Sequence, residues 1–389
     1  MKNPDGLPRR CCLALVASLI VAAVSAEQLP QPPTPQALLT QYGSGQYDDV
    51  LQTISRLAGT ERLASSGAKP VAELAQEAGR IVPSWIADAG EPQKALRARI
   101  ASAFALEVAS VALDQRASGF IEWFNVGLNV RRARPDPEFD RSWYLAGLAL
   151  LQRTQRPPVV EQFIRMAKPA LPREPQLPLA QAVNAELGLP DRRLRLDGTP
   201  SVTSGPDSTL MSRTGPVHPR TTVPSGNPLP ADPRLVEARR LFELAQRLEP
   251  IRAEATVRLG RVLSRLHEDK QALAALRKVP ELTHDAELRH LSHLFEAAIH
   301  ERADRPDDAI AAYRAALKAL PSAHTASMLL ALQLHDRGDN DDAAAIADRA
   351  LTSPPVADPW LRYLTPGLRH WPERIAKVRE ALRSSRWGN

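Results

Sequence analysis

Four alanines set the frame of this chain. Ala238, Ala272, Ala309 and Ala343 stand 34, 37 and 34 residues apart. Four positions after them come Phe242, Leu276, Tyr313 and Ala347, and twelve positions after come Pro250, His284, Pro321 and Pro355. Positions i and i+4 share one face of a helix. Each unit therefore predicts a helix with a small residue where a neighbour crosses closely and, except at Ala347, a large side chain filling the gap beside it. Proline beyond the end of such a helix blocks its continuation. A unit of this length cannot bury its apolar face alone, whereas three or more stacked units can. The period predicts an all-α solenoid of helical hairpins over residues 234–355.

The first helix of each hairpin precedes its alanine. Before Ala272, the stretch AEATVRLGRVLSRL places Leu259, Gly260 and Leu263 there, and the last unit runs Leu330, Ala331, Leu334, Gly338, Ala343, Ala350, Pro355. In the unit between, Glu296 and Ala297 stand at the Leu-Gly positions and His293 and His300 at the aromatic ones. These residues resemble the tetratricopeptide repeat, whose pattern is W-x2-L-G-x2-Y, then A-x3-F, then P. Here Thr256 occupies the tryptophan position and Leu263 the tyrosine. The resemblance implies a right-handed superhelix whose first helices line a concave groove that holds a peptide or a partner helix.

Upstream, Trp143, Ala146, Gly147, Leu150 and Phe163 read as another unit, and Gly45, Tyr47 and Val50 as a fainter one. Between them IASAFALEVASVAL and FIEWFNVGL predict buried helices, with Phe120, Trp123 and Phe124 as core. Together these form a helical region over 37–189 with degenerate repeats. The chain carries 35 prolines, against about 20 expected at average usage, and they cluster in residues 28–35 and 190–233. Residues 27–36 read as a Pro-rich linker. Residues 190–233, rich in Pro, Gly, Ser and Thr with few bulky apolar side chains, are expected to be disordered. LPLAQAVNAELG (177–188) has the spacing of a first helix, and the next second-helix signature is Leu235 to Leu248. The simplest account is a long insertion inside one hairpin, giving one continuous solenoid; two domains joined by a linker is the alternative. In residues 356–389, Ile375, Val378 and Leu382 share a helical face. A solenoid needs a terminal element with a polar outer side, so this segment is expected to be a capping helix with Trp360 and Trp371 beneath it.

Residues 1–10 are polar with three basic side chains, and residues 11–24 are apolar apart from Ser18. This pattern reads as a secretory signal peptide cleaved after Ala26, and the apolar run is shorter than the roughly 20 residues of a spanning helix. The expected product is an exported protein, periplasmic or secreted, with no membrane span after signal removal. Both cysteines, Cys11 and Cys12, fall in the removed segment, which excludes a disulfide framework. The net charge of +6 falls to +4 without residues 1–26. Basic clusters such as Arg131-Arg132-Arg134 and Arg192-Arg193-Arg195 are scattered and read as solvated surface, so nucleic acid is not an expected partner.

Chemistry-bearing motifs are sparse. The H-E-x-x-H, G-x-S-x-G, G-x-x-x-x-G-K-[ST] and G-x-G-x-x-G patterns do not occur. His290, His293 and His300 share a wedge of one helix, but ten residues of helix rise about 15 Å, too far for three ligands of one zinc ion. In Asp336-Arg337-Gly338-Asp339-Asn340-Asp341-Asp342, Gly338 reads as the turn between two helices, with the carboxylates near the next helix N-terminus. No catalytic residue, metal or cofactor is expected. A cell-wall-processing enzyme built on such a solenoid would carry a Glu-Ser pair, and the chain has no Glu-Ser dipeptide. The expected function is a non-catalytic protein-protein interaction scaffold of the cell envelope, with a structural subunit of a larger envelope assembly as the alternative. Carrying the family's groove positions over places Val257 and Arg261, then Leu294 and Ala298, then Met328 and Leu332 along the binding face. The family's carboxylate-gripping subclass needs lysine and asparagine where Val257, Leu294 and Met328 stand.

Overall fold

The computed structural model of the protein describes residues 33–63, 67–91, 93–154, 156–188, 232–352 and 358–387, and its regular elements among these residues are helices without strands. The signal sequence, most of the Pro-rich linker and residues 190–231 of the expected insertion lie outside the described residues. The chain divides into two compact units, at Val130 and Arg131.

In the first unit, α1 (Pro35–Ser44) and α2 (Tyr47–Leu63) form a hairpin turned at Gly45. Gly45 has φ 100° and its N–H closes the last turn of α1, a left-handed position that glycine takes without steric cost. The faint repeat signature at Gly45, Tyr47 and Val50 thus marks a real turn. Next come α3 (Pro70–Ala87), α4 (Gln93–Asp114) and α5 (Phe120–Ala133). Helix α4 is buried almost all round from Ile100 to Ala112, as its unpunctuated apolar run predicts. Tyr42, Phe104 and Trp123 meet in sequence, tilted and then edge-on, with ring centroids 5.5 and 5.3 Å apart. The Trp123 indole donates to the Val71 carbonyl at 3.0 Å. Trp123 and Phe124 are core, as expected, while Phe120 is half-buried.

The second unit begins in the last turn of α5. Arg131, expected on the solvated surface, is buried there: its guanidinium meets Asp140 at 3.3 Å and lies over the Phe139 ring. The carboxylate on the following helix supplies a partner that a local reading of the basic cluster omits. Helices α6 (Pro137–Gln152) and α7 (Pro157–Ala167) form the hairpin predicted from Trp143 and Phe163, both fully buried. Then α8 (Gln176–Leu187) packs against α9 (Pro233–Ala245). Leu179, Ala182 and Val183 of α8 share one core with Leu235, Ala238 and Phe242 of α9, and Arg234 donates to the Gly188 carbonyl. The two helices that flank residues 190–231 in sequence therefore pair with each other. Helices α6–α8 thus fall in the same compact unit as the repeats downstream.

The remaining helices are α10 (Arg252–Arg265), α11 (Asp269–Leu276), α12 (Val279–Leu282), α13 (Ala286–Arg302), α14 (Pro306–Ala319), α15 (His324–Arg337), α16 (Asn340–Thr352), α17 (Pro359–Leu364) and α18 (Pro366–Trp387). The aligned alanines of the period are all buried, and Phe242, Leu276 and Tyr313 fill the gaps beside them. Each such large side chain contributes about 1.5 to 3 kcal/mol by leaving water. A Cβ on Gly260 would fall 2.6 Å from the Leu276 side chain, so any larger residue would displace Leu276 where α10 crosses α11. The three-residue excess of the middle spacing falls where α11 stops early and the short α12 and residues 283–285 lead into α13. Gly338, at φ 95°, closes α15 as the repeat requires, and Arg337 reaches back to Asp307 at 2.9 Å.

The C-terminal helix is present, and its apolar face is the expected one: Val378 and Leu382 are fully buried. Its placement differs from a cap on the last hairpin. Helix α18 packs chiefly on α6, at the start of the unit, and α17 packs on α13. A Cβ on Gly367 would overlap the Ala149 carbonyl oxygen of α6, and the Arg153 guanidinium lies 5.6 Å from the Trp371 ring. Trp360 packs elsewhere, against α10 and α13.

Candidate partner-binding site

The first helices of the second unit carry unusual charge at buried positions. Glu186 sits at the end of α8, Glu254, Arg258 and Arg261 line α10, and Phe295 projects from α13. Helix α10 is buried over Ala253 to Gly260, Arg258 included. A buried charge without partners would be very costly, and here the charges answer one another, with Tyr363 of α17 closing the cluster.

Glu186 is the centre of the cluster. Its Oε1 accepts from the Tyr363 hydroxyl at 2.5 Å and from Arg261 at 3.1 Å, and its Oε2 accepts from Arg258 at 3.1 Å. Arg258 also donates to Glu254 at 3.2 Å and to the Tyr363 carbonyl at 3.3 Å, and its guanidinium lies 4.2 Å from the centre of the Tyr363 ring. Arg261 stands over three rings, 4.7 Å from Trp360, 4.9 Å from Tyr363 and 5.7 Å from Phe295. Trp360 and Tyr363 stack at 5.8 Å, and Phe295 meets Tyr363 edge-on at 5.1 Å. Offset and edge-on arrangements are the favourable ones for aromatic pairs.

Charge complementarity continues along the strap formed by α17 and α18. Arg362 pairs with Glu287 at 2.6 Å, Arg369 with Asp285, and His370 lies 3.4 Å from Glu254. Asp358 caps α17 through the Trp360 N–H and accepts the Thr325 N–H at the start of α15. Burial opposes the charge on Glu254, yet the hydrogen bond from His370 and the nearby His370, Arg258 and Arg369 charges hold its carboxyl far below the usual range. Burial also opposes the charge on Arg258, and the surrounding Tyr363, Glu254 and Glu186 override it and keep the guanidinium protonated. Burial, and then the Glu186 carboxylate, push the Tyr363 hydroxyl well above its ordinary value, which keeps it a donor.

The six residues expected along the groove lie in different surroundings. Val257 is fully buried and Leu294 nearly so; both belong to the core between helices, because α10 and α13 are packed on several sides. Arg261 is tied to Glu186 and covered by Trp360, and Ala298 is half-buried. Only Met328 and Leu332 on α15 are open, at 45% and 40% exposure. The residues that the sequence reading passed over are Glu186, Arg258 and Tyr363. Their signal was a glutamate ending an apolar helix, an arginine within an apolar helix, and an aromatic pair at i, i+3 after Pro359.

The histidines are spread among different partners. His290 is buried with Nδ1 3.0 Å from the Ala316 carbonyl, and burial lowers its basicity. His300 lies between Glu296 and Asp308 at 3.7 and 3.6 Å. Among the described residues no group of three or more His, Cys, Asp or Glu could hold a metal, and no helix is long and apolar enough to cross a membrane.

A family model described as tetratricopeptide repeat matches residues 296–358. The chain carries a tetratricopeptide repeat. The tetratricopeptide match spans the last two turns of α13 and all of α14, α15 and α16, the helices in which Ala309, Tyr313, Leu330 and Ala343 are buried. No curated protein is significantly similar to the chain. Solved structures with a similar arrangement include a human IFIT1 dimer with PPP-AAAA, at TM-score 0.36 and 12% identity over 87% of this chain and 79% of that one. Another is the APC/C hetero-tetramer Cut9-Hcn1, at TM-score 0.37 and 11% identity over 94% of this chain and 70% of that one. Neither similarity bears on what this chain binds.

Proposed function

We propose that the protein is a non-catalytic interaction scaffold of the cell envelope that grips a helical or extended segment of a partner on the inner face of its repeats. The observation that carries this reading is α17. A six-residue helix is held on that face by two stacked aromatic rings, two arginines and a buried glutamate, so the face has the chemistry to grip a short amphipathic segment. Anchoring aromatics and arginines are the side chains that dominate such interfaces. The chain's own segment occupies the part of the face formed by Glu186, Arg258, Arg261 and Phe295. Met328 and Leu332 remain open beside it, and a partner engages there. Export rests on the charged start and apolar run of residues 1–26, and the mature N-terminus on this reading is Glu27, which intact-mass measurement of envelope material checks directly.

The test is the joint variant Met328→Glu with Leu332→Glu, assayed by cross-linked capture from the native envelope. Both side chains are substantially exposed, so helical content and melting temperature should stay close to those of the parent while capture is abolished. Undiminished capture would move the partner surface away from α15. A stable homo-oligomer of the parent chain, dispersed by the same variant, would instead favour the structural-subunit reading, for which the exposed apolar residues Met328, Leu332 and Leu351 provide a self-association face.

A further inference from the structure

A concavity of about 430 Å³ that shares no lining residue with the inner-face cluster lies between the start of α13 and the end of α14. His284, Arg289, His293 and Lys318 line it, over a floor that includes Ala315 and Ala319, and no carboxylate contributes to its wall. The volume is within the range of small-molecule sites. The Arg289 Nε is buried without a hydrogen-bond partner. Among the described residues no hydrogen bond or ion pair engages the side chains of His284, Arg289 or Lys318. An unpaired buried donor is unfavourable in a folded protein and calls for an acceptor.

The carboxylates of α13 and its cap are already committed elsewhere. Asp285 caps the helix and pairs with Arg369, and Glu287 pairs with Arg362. Glu296 is 2.7 Å from Arg277 and 3.6 Å from His293. Burial opposes its charge, but the hydrogen bonds from His293 and Arg277 bring its carboxyl down to about 2. Glu296 thus stays anionic, held between Arg277 and His293 at the rim. The acids at the start of α13 are turned to the strap, and the bases to the concavity.

We propose that this pocket binds the phosphate of a small phosphomonoester, with Arg289 and Lys318 holding the phosphate oxygens, His284 and His293 donating at the rim, and the alanine floor receiving the carbon body. A guanidinium and an ammonium on one wall match a dianion, whereas a carboxylate would leave one of them unpaired. The guanidinium supplies a planar fork of donors and the ammonium a point charge, a pair suited to phosphate oxygens. The assignment is independent of the partner-binding reading, because neither Met328 nor any strap residue lines the pocket.

The experiment is calorimetric titration of the intact chain with phenyl phosphate, benzoate and inorganic phosphate, repeated with Arg289→Gln, with Lys318→Gln and with Arg240→Gln as a surface control on α9. Phenyl phosphate should saturate a single site, inorganic phosphate should bind the same site more weakly, and benzoate more weakly still. Each pocket variant should weaken phenyl phosphate by about tenfold, the effect of removing one charge-assisted hydrogen bond, and Arg240→Gln should leave it unchanged. Lys318 is exposed, so its variant keeps the test open if Arg289→Gln does not fold. No saturation, equal binding in the pocket variants, or benzoate as tight as phenyl phosphate would overturn the assignment.

Discussion

Glu186 answers two arginines and a tyrosine at once, and the three bonds are not equivalent. Replacing Tyr363 by Phe removes one donor and keeps both rings in place, so the loss should be about 1 kcal/mol. Glu186→Ala leaves Arg258 and Arg261 without their shared carboxylate in a buried site, and breaking a buried charge pair costs about 3 to 5 kcal/mol. Urea midpoints of the two variants should therefore be well separated, and equal shifts would mean that the charges are solvated in solution. Gly260→Leu should cost about 1 to 3 kcal/mol by overpacking against Leu276, read in the same way. Acid sensitivity follows from Glu254 and Glu296, whose carboxyls are depressed in the folded state. Such groups contribute stability above their unfolded value, and that stability is lost as pH falls through the folded one. The urea midpoint should be nearly level from neutral pH down to about 5 and then fall toward about pH 2. Glu296→Gln should make that fall shallower; an unchanged slope would exclude its pairing with Arg277.

At the level of helices, what could be read from the sequence and what could not divide along sequence distance. The alanine period, the turn glycines Gly45 and Gly338 and the apolar face of Val378 and Leu382 are local patterns, decided within a few turns of helix, and each lies where it was expected. The partners of these faces are not local. Tyr363 meets Glu186 across 177 positions and Arg258 across 105, and nothing in the spacing of Ile375, Val378 and Leu382 says that α6, not the last hairpin, receives them. The same reason explains Val257 and Leu294. The family's groove positions assume an open inner face, and here neighbouring helices and the strap close it. Gly367 is the tightest point of that closure. Gly367→Val should lift the start of α18 from Ala149 and change the Trp371 environment, seen as a red-shifted emission with faster amide exchange in α17 and α18. Unchanged exchange would place the docking contact elsewhere.

For the second unit as a whole, the α8–α9 hairpin and the α18–α6 contact each join segments from opposite sides of the insertion in sequence. A cut engineered within residues 190–231 leaves one fragment ending in α6–α8 and another carrying α9–α18, joined by both contacts. The fragments should co-elute on size exclusion under native conditions and part only in denaturant. Separation without denaturant would show that the Leu179–Phe242 core does not hold by itself.

A helical-repeat array is in general open-ended: units can be added or lost, and its ends can fray, because each unit contacts only its neighbours. The docking of α18 on α6 removes that freedom from this chain. Neighbouring helices stand about 8 to 10 Å apart, so one further hairpin between α9 and α14 would move the strap out of reach of Ala149, and one fewer would force it past. The strap therefore acts as a length gauge: it bridges α6 and α13, so a hairpin gained or lost between them would pull one of its two contacts apart, while α16, which buries only a few side chains, is the helix whose sequence can change with least effect on that count.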